Sequence, residues 1–148
     1  MLAVMDANQI NELHRHTFAG EIGLIINVAS RDEVIGELAV LPKHCQPQGI
    51  VHGGVYATII ESLASIGAAI DASAHGRNVV GLENHTSFVR ATRTGRIHGK
   101  ATPLTRGRRS QLWEVMLRND AGEIAATGRV RLMLLEPEAS VGGAQLKP

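Results

Sequence analysis

The chain has one cysteine, Cys45, and very few aromatic residues: one Trp, one Tyr and two Phe among 148 residues. A single cysteine excludes an internal disulfide and suits a reducing compartment. So few rings leave little for bases to stack on. A formal net charge of +1 gives no strong field for a polyanion. The first residues lack a basic segment followed by a long apolar core, so no signal peptide is expected. The longest apolar run, 54–70, falls short of the roughly 20 residues of a membrane span and carries a carboxylate. No spaced Cys/His set points to a metal site. The expectation is a soluble cytoplasmic protein that binds neither nucleic acid nor membrane.

The composition is that of a globular protein, with 44% hydrophobic and 20% charged residues. The length suits one domain with a sizeable core. A short helix is expected from Asp6 to before Gly20. Residues 22–29 and 34–41 read as strands around an Arg31-Asp32-Glu33 turn. Residues 42–49 form a loop and 53–72 a long helix. Strands follow at 79–90, 95–104, 110–119 and 123–135. In the last, Ile124, Ala126, Gly128, Val130 and Leu132 alternate with Thr127, Arg129 and Arg131. The fold class is therefore α+β, one long helix wrapped by an antiparallel sheet. The domain is 1–136, opening with a helical segment at 1–20, and 137–148 reads as a flexible tail.

Glu61 is the most informative residue. It is the only charged side chain from Gly54 to Ile70. With no polar face, this helix should be buried nearly all round. Thr58, Glu61, Ser62 and Ser65 lie at helical i+3 and i+4 spacings and form one narrow polar stripe. A Glu satisfied by hydroxyls would look the same as a carboxylate of raised pKa poised as base or nucleophile. Before it, Val51-His52-Gly53-Gly54 sits where loop becomes helix. The free N–H groups of a helix start suit an oxyanion. A bare HGG is a weak signal, and a lone His such as His52 is more often structural. Between Asn84 and Trp113 there is no acidic residue, whereas seven of the fifteen Lys and Arg fall there. A solvated strand face explains any one of them. Arg106-Gly107-Arg108-Arg109 at a turn could instead hold phosphates. Cys45 beside His44 gives little support for a thiol nucleophile.

Together these residues resemble the hotdog-fold acyl-CoA thioesterases. The similar group contains the 4-hydroxybenzoyl-CoA thioesterase of the Arthrobacter type, the 1,4-dihydroxy-2-naphthoyl-CoA thioesterase of menaquinone synthesis and the PaaI-like proteins. The segments that match are Gln46-Pro47-x-Gly49-x-x-His52-Gly53-Gly54, Glu61-Ser62 with Ser65, and Val79-Val80-Gly81-Leu82-Glu83-Asn84. Val89-Arg90, Pro103-Leu104, Gly107-x-Arg109 and Gln111-x-Trp113 also fit. The resemblance implies a hotdog fold and hydrolysis of an aromatic (hydroxybenzoyl-, dihydroxynaphthoyl- or phenylacetyl-like) or medium acyl-CoA. No cofactor is implied beyond the coenzyme A of the substrate. Glu61 would be the catalytic carboxylate, Gln46 and His52 would lie near the thioester, and the Gly53 N–H would polarise its carbonyl. Ser65 would help position the attacking water. Gly81, with Phe88, Val89, Arg90 and Ala91, and then Thr105, Arg106, Gly107, Arg108, Arg109 and Ser110, would touch the CoA arm or acyl group. Phe88 stands where some members have His, and Arg108 where some have a small polar residue. A homo-oligomer is implied, at least a dimer and by family habit a tetramer. The alternatives are a non-catalytic acyl-CoA-binding module, a hotdog dehydratase or hydratase, and an inert structural protein.

Overall fold

The computed structural model describes residues 5–146. Helix α1 (Ala7–His14) starts where Asp6 accepts from the Gln9 N–H and Gln9 answers to the Asp6 N–H, a reciprocal cap. A four-residue helix α2 (Phe18–Glu21) follows, which sequence reasoning did not anticipate. Strands β1 (Leu24–Ala29) and β2 (Val34–Ala39) form the first hairpin. A short 3-10 turn (Pro42–His44) and a loop lead to helix α3 (Gly53–Ser73). The long strands β3 (Asn78–Phe88), β4 (Arg96–Arg106), β5 (Ser110–Arg118) and β6 (Ile124–Leu135) complete the body. All pairings are antiparallel, and the six strands lie in the order β1-β2-β4-β5-β6-β3. Strand β3 is therefore at an edge. It pairs with β6 on one side and presents free backbone groups on the other.

Helix α3 packs against one face of the sheet. Length and mean hydropathy would let it cross a membrane, yet half of its apolar window is buried in this core. Ile59, Ile60, Leu63 and Ala64 are wholly buried against Leu38, Ile97, Trp113, Val115, Leu117 and Leu132. The approach is close because glycine stands beneath the helix. A Cβ on Gly99 would run into Leu63, and one on Gly128 would lie 2.7 Å from Ile60. On the helix itself, Gly67 rests on the ring of the fully buried Trp113.

The far half of α3 is pinned by a buried polar chain. The Trp113 indole N–H donates to Gln111 (2.8 Å), and the Gln111 amide donates to Asp71 Oδ2 (2.8 Å). Asp71 is only 5% exposed. The Arg31 guanidinium lies 2.9 Å from its other oxygen, and Arg106 stacks over Trp113 at 5.9 Å. A buried carboxylate needs such partners.

One expectation is corrected. Helix α3 is not buried all round: Ala57, Thr58, Glu61, Ser62, Ser65 and Ala69 are only half-buried. These residues share one face, which the six strands of this chain cover only in part. The tail carries a short ordered element within the described residues. Strands β7 (Ser140–Val141) and β8 (Ala144–Gln145) form a hairpin around Gly142-Gly143, whose φ values of 60° and 82° suit a tight turn.

Gly67→Ala should test the packing. Trp113 has nowhere to move, so the methyl should cost about 1–3 kcal/mol. A urea titration should show an earlier midpoint with unchanged slope.

Candidate active site

The loop before α3 is built to be stiff. His44 is buried, its Nδ1 accepting from the Leu41 N–H (2.9 Å) and its Nε2 donating to the Ile22 carbonyl (2.8 Å). It is a structural residue, which removes it as the base that a Cys45 nucleophile would need. Gly49, at φ 74°, closes a turn in which the Gly49 N–H donates to the Gln46 carbonyl (2.9 Å). Arg93 clamps that turn by donating to the Gln48 and Gly49 carbonyls at 3.0 and 3.2 Å.

His52 caps α3. Its Nδ1 accepts from the Gly54 N–H at 2.8 Å, which leaves Nε2 to carry the ring proton. The Gly53 N–H has no hydrogen-bond partner among the described residues. It opens onto a cleft of about 280 Å³ lined by Gln46, Ile50, Val51, Gly53, Tyr56 and Phe88 to Ala91. The Phe88 ring leans over Gly53, where a Cβ would lie 2.6 Å from it, yet the ring remains 62% exposed. The structure thus brings together Gln46, Gly53, Phe88, Val89, Arg90 and Ala91. His52 lines the neighbouring groove with Phe18, Ile22, Lys43, Val55 and Thr58. Its Nδ1 is spent on the helix cap.

Glu61 stands two turns further along α3. Ser65 Oγ donates to Oε1 (3.2 Å) and Asn84 Nδ2 to Oε2 (3.0 Å). The same Asn84 amide reaches the Ala57 carbonyl at 3.1 Å, which ties strand β3 to the helix. Gly81 makes room for the carboxylate, since a Cβ there would lie 2.7 Å from Oε1. Two hydrogen bonds occupy about half of a carboxylate's acceptor positions. The rest are free for a water or an electrophile on the open face of the helix. Ser65 and Gly81, both read from the sequence, meet Glu61 here. Asn84 was not singled out as its partner, although an Asn inside a long strand is a local signal that a side chain is in use.

The basic window resolves into separate duties. Arg96 pairs with Glu37 on β2 and Lys100 with Glu33 in the turn just before it, and Arg90 lies 3.5 Å from Glu123. Arg106 is engaged by Asp32, the Arg31 carbonyl and Trp113. Arg108 and Arg109 are exposed at the β4–β5 turn with Thr105, Gly107 and Ser110, and neither forms a salt bridge among the described residues. A second cavity, of about 300 Å³, opens beside this turn between Arg31, His75, Arg77, Arg106 and Arg108. Arg31 and Arg77 come from other parts of the chain and were not expected there. Among the described residues, no three His, Cys, Asp or Glu lie where they could hold a metal ion.

Three features therefore lie along one helix. At 1.5 Å per residue, Glu61 is about 12 Å from Gly53, and the basic cavity beside Asp71 is about 27 Å from it.

Gly81→Ala should displace the Glu61 carboxylate while leaving the sheet intact. With Glu61 as the working carboxylate that the resemblance implies, activity should fall by about a hundredfold, with a nearly unchanged melting temperature. Thermal melting and initial rates on the purified variant check both.

The family model of the thioesterase superfamily matches residues 48–126, which span Gly53, Glu61, Gly81 and the basic turn. A Mycobacterium tuberculosis protein described as a candidate esterase is 45% identical over 121 residues, covering 80% of this chain and 86% of its own. Its solved structure superposes with a TM-score of 0.80 over 82% of this chain and 98% of that one. The proofreading thioesterase EntH of Cronobacter sakazakii is 29% identical over 88% of this chain and 95% of its own. A thioesterase structure from Haemophilus influenzae, 24% identical, shares the fold with a TM-score of 0.87 over 92% of this chain and 94% of that one. By family match, fold and the residues gathered around α3, this chain belongs to the thioesterase superfamily and is a thioester hydrolase of the hotdog fold.

Proposed function

We propose that the protein is an acyl-CoA thioesterase whose active site is shared by two copies of the chain, and that it acts on an aromatic or medium acyl group. The observation that carries this reading is the separation along α3. A thioester carbonyl at the Gly53 N–H cannot meet the Glu61 carboxylate of the same helix about 12 Å away. An antiparallel second α3, on a two-fold axis passing near Ala57, would bring the partner's Glu61 beside Gly53. Ala57 lies midway between the two residues, on the half-buried face of the helix. The free edge of β3, adjoining that face, supports pairing with a second copy.

In this site the thioester oxygen accepts from the Gly53 N–H at the positive end of the α3 dipole. Gln46, on the cleft wall, adds a second polar contact. Glu61 of the other copy either removes a proton from water as it attacks the carbonyl carbon, or attacks directly and is freed by water. Ser65 and Asn84 hold the carboxylate in one orientation for either route. The carbon–sulfur bond then breaks, the acid is formed, and CoA leaves as thiolate to take up the proton. The exposed Arg108 and Arg109, with the cavity beside them, suit the CoA phosphates. The CoA moiety belongs to the substrate, and the reaction as written needs no other cofactor. A cytoplasmic homo-oligomer in the group of the Arthrobacter-type and PaaI-like enzymes, dimeric at least and tetrameric by family habit, is the matching setting.

Replacing Glu61 with Gln keeps its size and removes both base and nucleophile. Free-thiol release from the best acyl-CoA found should fall about 10²–10⁴-fold. Near-normal turnover in that variant would sink the reading.

Arg108→Ala and Arg109→Ala should raise KM more than they lower kcat, because they lie far from the reacting carbon. The effect should shrink on an acyl-pantetheine lacking the nucleotide. An equal response to both substrates would show that these arginines do not hold the phosphates.

A further inference from the structure

Strand β3 supplies more to Glu61 than the space at Gly81. The Asn84 amide nitrogen carries two hydrogens and meets two acceptors, Glu61 Oε2 at 3.0 Å and the Ala57 carbonyl at 3.1 Å. Its amide oxygen accepts from the Thr86 hydroxyl at 2.7 Å. Residues two apart on a strand share a face, so Thr86 stands beside Asn84 on the side that meets α3. Opposite Thr86 on β6 is Gly128, which has no side chain to offer, and the other side of β3 is the sheet edge. Among the described residues, Asn84 is the one hydrogen-bond partner of the Thr86 hydroxyl.

Three hydrogen bonds therefore specify one orientation of a single amide. Turned over, the amide would set its oxygen against the Glu61 carboxylate and the Ala57 carbonyl, acceptor against acceptor. Swung away, it would leave Glu61 held by Ser65 alone. The Thr86 hydroxyl opposes both changes by holding the oxygen. We propose that Thr86 is a positioning residue for the reaction: it fixes the Asn84 amide, and the amide fixes the Glu61 carboxylate. A reacting side chain needs such outer partners, because its own rotamer must be locked. Thr86 forms no hydrogen bond with Glu61 and acts only through Asn84. The bland reading is that Thr86 is present because β-branched residues suit strands, and it makes a different forecast for the nearest isostere. The inference rests on Glu61 as the working carboxylate and adds an outer residue to it.

Thr86→Val keeps the shape and removes the hydroxyl, whereas Thr86→Ser keeps the hydroxyl. On the best acyl-CoA found, Thr86→Val should lower kcat about tenfold and leave KM within about twofold. Thr86→Ser should stay within about twofold of wild type in both. Asn84→Leu should lose more, and adding Thr86→Val to it should lower turnover no further, because Thr86 has only Asn84 to act through. Melting temperatures of the Thr86 variants should hold, since Val suits an edge strand as well as Thr does. Wild-type turnover in Thr86→Val, a Thr86→Ser as slow as Thr86→Val, a rise in KM in place of the fall in kcat, or losses that multiply in the double variant would each overturn the inference. The Asn84 side-chain amide gives a readout that needs no substrate. Its proton–nitrogen NMR signals, identified by their absence from Asn84→Leu, should move in Thr86→Val and stay in place in Thr86→Ser. If Glu61→Gln keeps its turnover, or no acyl-CoA is hydrolysed, the reading of Glu61 fails, and these signals decide the Thr86 assignment separately. Signals displaced in Thr86→Val alone would uphold its hold on the amide, and signals unmoved by loss of the hydroxyl would overturn it.

Discussion

Helix α3 is held closely against its sheet, and everything else in the site is placed along it. Gly99 and Gly128 lie under Leu63 and Ile60, and Gly67 sits on the buried Trp113 ring. The chain of hydrogen bonds from Trp113 through Gln111 to Asp71 fixes the far half. Spacing in sequence therefore becomes spacing in space. The cleft at Gly53, the carboxylate of Glu61 and the basic cavity beside Asp71 follow one another along a rigid rod. Each is positioned by different neighbours: the first by the clamped loop, the second by Asn84 and Ser65, the third by the β4–β5 turn.

The same rigidity explains why one chain looks unfinished. Its helix exposes a half-buried polar stripe, and its sheet ends at the unpaired edge of β3. The cleft of about 280 Å³ is at the small end for a ligand site. A second copy on the stripe and the edge would cover both and deepen the cleft at one stroke. Stability and catalysis then draw on one surface, because the half-covered face is the face that carries Glu61.

Much of this was legible in the sequence, for physical reasons. Strand β6 shows its burial in the alternation of Val130 and Leu132 with Arg129 and Arg131, and Asp6 marks a helix start. Glu61 stood out because a charge in an apolar run is costly. Periodicity says which residues are apolar, but it does not say which neighbours a single chain supplies, so the open face of α3 could not be read. Asn84 and Asp71 were missed for a related reason. Their roles depend on partners distant in sequence: Glu61 for Asn84, and Gln111 with Arg31 for Asp71. The hairpin of the tail turns on Gly142-Gly143, a pair of glycines that the sequence reading did not single out.

The central claim is that Gly53 and Gln46 of one chain work with Glu61 of another. Mixed dimers test it most directly. Gln46→Ala and Glu61→Ala chains, each nearly inactive alone, are co-expressed and the mixed species is confirmed by mass spectrometry. A site built from two chains leaves each mixed dimer with one intact and one doubly damaged site. With random pairing, activity should return to about a quarter of wild type. Confirmed mixed dimers with no recovered activity would place the whole site within one chain and contradict the account.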